Sequence, residues 1–237
     1  MNTGRKVALF GLLTALTLVL GLMDRAIPVS AIFSGVMPGI KLGLANTVLL
    51  YAVYIFGWKG AVLLMLAKVG LSGFLFGSLT AILYSLSGGV LSLAVMLLVR
   101  RRPGAGALAA ALAAAAADAW ILVKTPRPAG DRLTAAILTG VACLAAVAFF
   151  VAEKKGKIRP VVGTSIAGAI AHNAGQVVTA SLVLHSPMLL MVYLPILAGV
   201  GACVGCLTGI VTERVLKALR INPTTGTKEK AVCESKD

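Results

Sequence analysis

Long uncharged stretches divide this chain. Val7–Met23, Leu42–Phe56, Leu71–Val99 and Leu133–Ala152 carry no Asp, Glu, Lys or Arg, and from Val161 the chain runs uncharged as far as Glu213. About twenty apolar residues cross a hydrocarbon core of about 30 Å, so runs of this kind read as membrane spans. A membrane β-barrel would instead show strands of about ten residues alternating in polarity, so the spans are helices. The pattern predicts helices at about Val7–Met23, Leu42–Phe56, Ala61–Phe76, Leu79–Val99, Val161–Leu184 and Leu189–Leu219. The expected fold class is all-α and polytopic, one transmembrane domain built on a six-helix core.

Between the fourth and fifth of these helices the pattern changes. Pro103–Arg159 opens on the Gly/Ala stretch Gly104–Ala117, passes Asp118, turns at Thr125-Pro126-Arg127-Pro128 and enters the clear span Leu133–Ala152. Alanine is only marginally apolar, and an Asp at a helix centre costs about 2.5–3.5 kcal/mol on insertion scales. Asp118 lies about 9 Å along a helix from Lys124, within reach of an interface. The segment reads as an inserted pair of spans rather than an Ala-rich helix lying on the surface, and an even number leaves every later helix in its orientation. Asp24–Ile40, with Pro28, Gly35, Pro38 and Gly39, reads as a structured loop. Asn222–Asp237 is polar and expected to be disordered. The first span ends in Met23-Asp24-Arg25 with no small-x-small cleavage signal, so it reads as a retained helix.

Composition agrees with the pattern: 59% of residues are hydrophobic, 13% charged, and mean hydropathy is +0.96. The net charge of +14 would suit a nucleic-acid binder, but the basic residues stand in short clusters between spans, where they set topology. With the N-terminus inside, Arg5, Lys6, Lys59, Arg100, Arg101, Arg102, Lys154, Lys155, Lys157, Arg159, Arg214, Lys217 and Arg220 all face the cytoplasm. Only Arg25, Lys41, Lys124, Arg127 and Arg132 fall outside. The expectation is a multi-pass protein of the cytoplasmic membrane with both termini inside and no nucleic-acid partner. Cys203-x-x-Cys206 has a redox or metal spacing, yet two small residues of a membrane helix account for it, and neither a metal nor a cofactor is expected.

Few polar side chains interrupt the spans: Lys41, Asn46, Lys68, His172, Asn173 and Gln176. Each is costly in hydrocarbon and marks a protein interior or a water-filled cavity. His172 and Gln176, at i and i+4, share a helix face. These six form the candidate substrate-binding set. Because no acid falls within the main helices near Lys68, the set suggests a pocket for an anionic or carbonyl-rich ligand. Enzyme signatures are scarce. There is no G-x-x-x-x-G-K-[ST] loop for ATP, and no two aspartates lie within five residues, as a magnesium–diphosphate site would need. No catalytic residues are assigned.

Small residues recur every four positions at Gly11/Ala15, Ala167/Ala171/Gly175 and Gly201/Gly205/Gly209. They serve close helix packing, and on the last helix they suit either the bundle itself or a partner membrane protein.

Four motifs carry a resemblance: Pro38-Gly39-Ile40-Lys41-Leu42-Gly43-Leu44-Ala45-Asn46, Leu71-Ser72-Gly73-Phe74-Leu75-Phe76-Gly77, Ser87-Gly88-Gly89 and Ala171-His172-Asn173-Ala174-Gly175-Gln176. Over Met1–Arg102 and about Val161–Arg220 the chain resembles the bacterial group called the Gx transporter family, also labelled heptaprenyl diphosphate synthase component I. Lys68 stands where that resemblance leads one to expect Arg. The group is similar to the substrate-binding S-components of energy-coupling-factor transporters. It implies a six-helix S-component-like bundle, with Pro103–Arg159 outside it. The leading expectation is a binding and translocation subunit for a small anionic or polar solute, working with an ATPase and a coupling subunit of the energy-coupling-factor kind. The alternatives are a non-catalytic membrane component of heptaprenyl diphosphate or isoprenoid-quinone synthesis, beside a soluble prenyl synthase subunit, and a membrane scaffold for a soluble partner.

Overall fold

The computed structural model describes residues 3–26, 43–76, 79–101, 160–186 and 188–219. Lys41, the Pro103–Arg159 segment and the polar tail lie outside the described residues. All regular structure within them is helical: α1 (Thr3–Ala26), α2 (Asn46–Ile55), α3 (Gly57–Phe76), α4 (Leu79–Arg101), α5 (Pro160–Val183) and α6 (Met188–Ala218). All but α2 are long and apolar enough to span a bilayer, so the chain is an all-α polytopic membrane protein.

The second helix departs from expectation. The uncharged run predicts Leu42–Phe56, but helix begins only at Asn46. Gly43 sits at φ +83°, a left-handed conformation that glycine adopts without strain, and the chain turns through Leu44 and Ala45. The ten residues of α2 cover about 15 Å, half a hydrocarbon core. Asn46 and Val48–Tyr54 are buried, and the half-helix is enclosed by its neighbours. Irregular backbone at membrane depth is tolerated only where protein or a cavity surrounds it.

At its other end α2 passes into α3 through Phe56 and Gly57, the latter at φ +73°. Trp58 and Lys59 follow, exposed, with Lys59 Nζ 5.6 Å from the indole centroid. Trp and Lys at a helix end mark headgroup level. Arg100, near the end of α4, reaches the same level: its Nη1 donates to Val53 O and its guanidinium stands 4.9 Å over the Tyr54 ring. The cation thus satisfies a carbonyl in the last turn of α2, where the helix dipole favours positive charge. Phe10 packs edge-on against Phe56, centroids 5.9 Å apart, and brings α1 into register with this basic face.

The core runs through α2. Leu13, Val48–Tyr54, Ala61, Leu64, Met65, Leu93, Met96, Val161 and Leu216 form one buried cluster, and Tyr84, Val177, Ala180, Leu189, Leu194 and Leu197 a second. The closest helix pairs are α5 with α6 and α4 with α5, with hydroxyls bonding across them. Ser92 Oγ donates to Gly168 O at 2.8 Å, Ser87 Oγ donates to Gly175 O at 3.2 Å, and Ser165 and Thr208 hydroxyls meet at 3.1 Å.

The small residues of α6 turn inward. A Cβ on Gly205 would stand 2.8 Å from Ile166 Cα, and one on Gly209 would stand 2.9 Å from Val162 Cα. The stripe therefore packs on α5 and is not open to a partner. Gly11 of α1 has nothing near it. We expect Gly205→Val to lower stability by about 1–3 kcal/mol through overpacking, while Gly199→Ala, with no neighbour within 4 Å, changes it little; unfolding in a graded denaturing detergent measures both.

Candidate functional site

The N-terminus of α2 ends at a small cavity. Its walls come from α1 (Thr17, Leu18, Gly21, Asp24), the turn before α2 (Gly43, Ala45), α3 (Lys68, Ser72), α4 (Ser85) and α5 (His172). From the basic face Lys68 lies about 16 Å along α3, and His172 about 18 Å along α5. Both therefore meet the start of α2 near the middle of the membrane. The interrupted span is what brings backbone polar groups to that depth, because a continuous helix would have spent its N–H groups on its own carbonyls.

His172 is held tightly. It is buried, and its Nε2 lies 2.8 Å from the Gln176 amide nitrogen one turn on. With that nitrogen toward the ring the amide donates, Nε2 accepts, and the ring proton sits on Nδ1. Two glycines make room for the imidazole: a Cβ on Gly43 would come within 3.0 Å of Cδ2, and one on Gly88 within 2.8 Å of Nδ1. Gly43 and Gly88 belong to two of the motifs singled out above, and both are explained by this close approach.

Of the expected set, the structure brings Asn46, Lys68, His172 and Gln176 together, all buried. Asn46 adjoins the cavity, its Nδ2 3.4 Å from where a Gly43 Cβ would sit. Among the described residues neither Nδ2 nor Oδ1 of Asn46 has a hydrogen-bond partner. Asn173 faces the other way and donates to Leu197 O at 2.7 Å, an interhelical bond to α6. Its neighbour there is Gly201, whose Cβ would stand 2.7 Å from Nδ2. Lys41 is outside the described residues.

Asp24 is the residue that sequence reasoning missed. It reads as the first residue of a loop, beside Arg25, but α1 continues through it and its side chain is 2% exposed. Its Oδ1 accepts the Leu44 N–H at 3.2 Å, just before α2 begins. Contrary to the expectation that no acid stands near Lys68, the described cavity wall holds one carboxylate, Asp24, and one lysine, Lys68. A signal was available: Asp24 is the sole acid before Asp118, and it ends an otherwise apolar run. Thr17, Ser72 and Ser85, also missed, give no such signal.

The arrangement sets an ammonium, an imidazole, a carboxylate and the positive end of a helix dipole around one space, with the Asn46 amide adjoining it. Such a set can hold an oxyanion or a carbonyl-rich group. Among the described residues no group of three or more His, Cys, Asp or Glu is placed to hold a metal ion.

Residues 13–122 and 129–215 match the family model described as heptaprenyl diphosphate synthase component I. The match reaches through much of Pro103–Arg159, which the motif resemblance alone does not cover. Neither a curated protein nor a solved structure matches the chain. The chain belongs to the heptaprenyl diphosphate synthase component I family.

Proposed function

We propose that this member of the family is the non-catalytic membrane component of a prenyl-diphosphate-forming assembly, and that the cavity at Lys68 and His172 receives the polar head of its ligand. The family match supports the first half. The interrupted second span carries the second half: half-helices ending at mid-membrane present their N–H groups and dipole to anionic groups of a ligand. Without neighbouring aspartates to hold magnesium on a diphosphate, condensation chemistry falls to a separate soluble subunit, docked on the basic face.

Thermal stabilisation of the full chain in nanodiscs tests this reading. Farnesyl diphosphate and inorganic diphosphate are expected to raise Tm, and the corresponding alcohol is not. A flavin or vitamin that stabilises the chain while the diphosphates do not would overturn it. That outcome would favour a solute-binding and translocation subunit, a reading supported by the convergence of α1, α3, α4 and α5 on the cavity. Co-expression with a soluble prenyl synthase subunit is expected to give a complex that survives purification.

Orientation follows from charge. With both termini cytoplasmic, Cys233, kept as the sole cysteine, is expected to react with a membrane-impermeant maleimide only after cells are permeabilised. Labelling of intact cells would reverse the topology.

A further inference from the structure

We propose that Asp24 occupies the seat of the ligand's anionic group, so that the cavity is an oxyanion site held closed by the protein's own carboxylate. The proposal rests on the pocket reading above and names the chemistry of its ligand, a phosphate-type oxyanion.

Three observations carry it. Asp24 comes from another helix to accept the N–H of Leu44 at 3.2 Å, the interaction expected of an anion at the start of α2. Asn46, 4% exposed, has no partner for either amide atom among the described residues, and a buried amide left so costs stability unless a ligand completes it. Finally, the cavity measures about 20 Å³, room for about one water, so no phosphate enters while Asp24 stays in place.

One wall is built to yield. Most of α1 faces outward, with Leu12, Leu16, Val19, Leu22 and Met23 exposed. Among the described helices its main contacts are with α2 and α3. Its outer end can therefore swing out with Asp24 while α3, α4 and α5 hold Lys68 and His172 fixed. In the closed state the carboxylate supplies negative charge opposite Lys68, and in the open state the incoming oxyanion takes that role.

The test is binding of inorganic diphosphate to the full chain in nanodiscs, by calorimetry and by Tm shift. Asp24→Asn keeps an oxygen for Leu44 and removes the competing charge. We expect it to bind diphosphate about tenfold or more tighter than wild type, since a like charge at the seat is lost. Adding Lys68→Met is expected to cancel the gain. Asp24→Ser, a smaller residue that also keeps an acceptor, is measured alongside and carries the test if the Asn variant does not fold. Equal or weaker binding by the variants, with wild type still stabilised by farnesyl diphosphate, overturns the seat and leaves the pocket standing. Absence of diphosphate binding in every variant and in wild type overturns both.

Discussion

Lys68→Met is expected to destabilise the ligand-free protein by about 3–5 kcal/mol, the usual cost of removing one partner from a buried pair of charges. The stem of Met fills most of the same space, so the loss is electrostatic rather than steric. Sequence alone suggests the opposite result, because with no acid in view deleting a buried ammonium would relieve a penalty. The 2%-exposed carboxylate of Asp24 in the same cavity wall reverses the sign: it would be left in the membrane interior with the Leu44 N–H but without the cavity's one lysine. Replacing both, as Asp24→Asn with Lys68→Met, is expected to recover most of the loss, since a neutral pair avoids the desolvation that both charges suffer. Chemical unfolding of the four proteins of that cycle measures the coupling directly. Strictly additive single effects would show that the two charges do not sense each other.

The second large effect is expected at the crossing of α4 and α5. Gly175 meets α4 backbone to backbone, and a Cβ there would lie 2.9 Å from both Gly88 Cα and Ser87 O. A Cβ on Gly88 would lie 2.8 Å from His172 O as well as from its ring. Backbone cannot step aside as a flexible side chain can. Gly88→Val should therefore fall at or beyond the upper end of the usual overpacking cost, about 3 kcal/mol, and displace His172 from the cavity. Gly70→Ala, on α3 with nothing within 4 Å, is the control and is expected to be neutral or slightly stabilising. Melting temperature together with diphosphate binding separates the outcomes. A folded Gly88→Val protein with unchanged binding would show that the imidazole has no part in the site.

The spans were legible because hydrocarbon demands long uncharged runs, and charge marks where they stop. Val161–Leu184 and Leu189–Leu219 differ from α5 and α6 by a residue at each end. The half-length of α2 was hidden for the same reason: Leu42–Phe56 is uncharged throughout, and charge marks no break at Gly43. That Asn46, Lys68, His172 and Gln176 lie buried within the bundle was legible because polar atoms inside spans need a reason. The direction each one faces was not, as adjacent residues of one helix diverge by about 100°, and so Asn173 serves the α6 contact while His172 serves the cavity. Asp24 escaped because a charge at the end of a span reads as the edge of the membrane. It is α1's position against the shortened α2 that puts it inside.

The seating of α1 also bears on how the protein is made. The ribosome delivers α1 before Gly43, α2 and Lys68 exist, so in the nascent chain Asp24 has neither its N–H donor nor its counter-charge. A lone carboxylate deep in the bilayer costs about 2.5–3.5 kcal/mol, and the young helix will ride high, with Asp24 among the lipid headgroups. Only when α3 has inserted does sinking become favourable. A helix made before α2 and α3 then takes its final place after them, and a chain that fails to present Lys68 would leave α1 adrift in the lipid for membrane proteases to find.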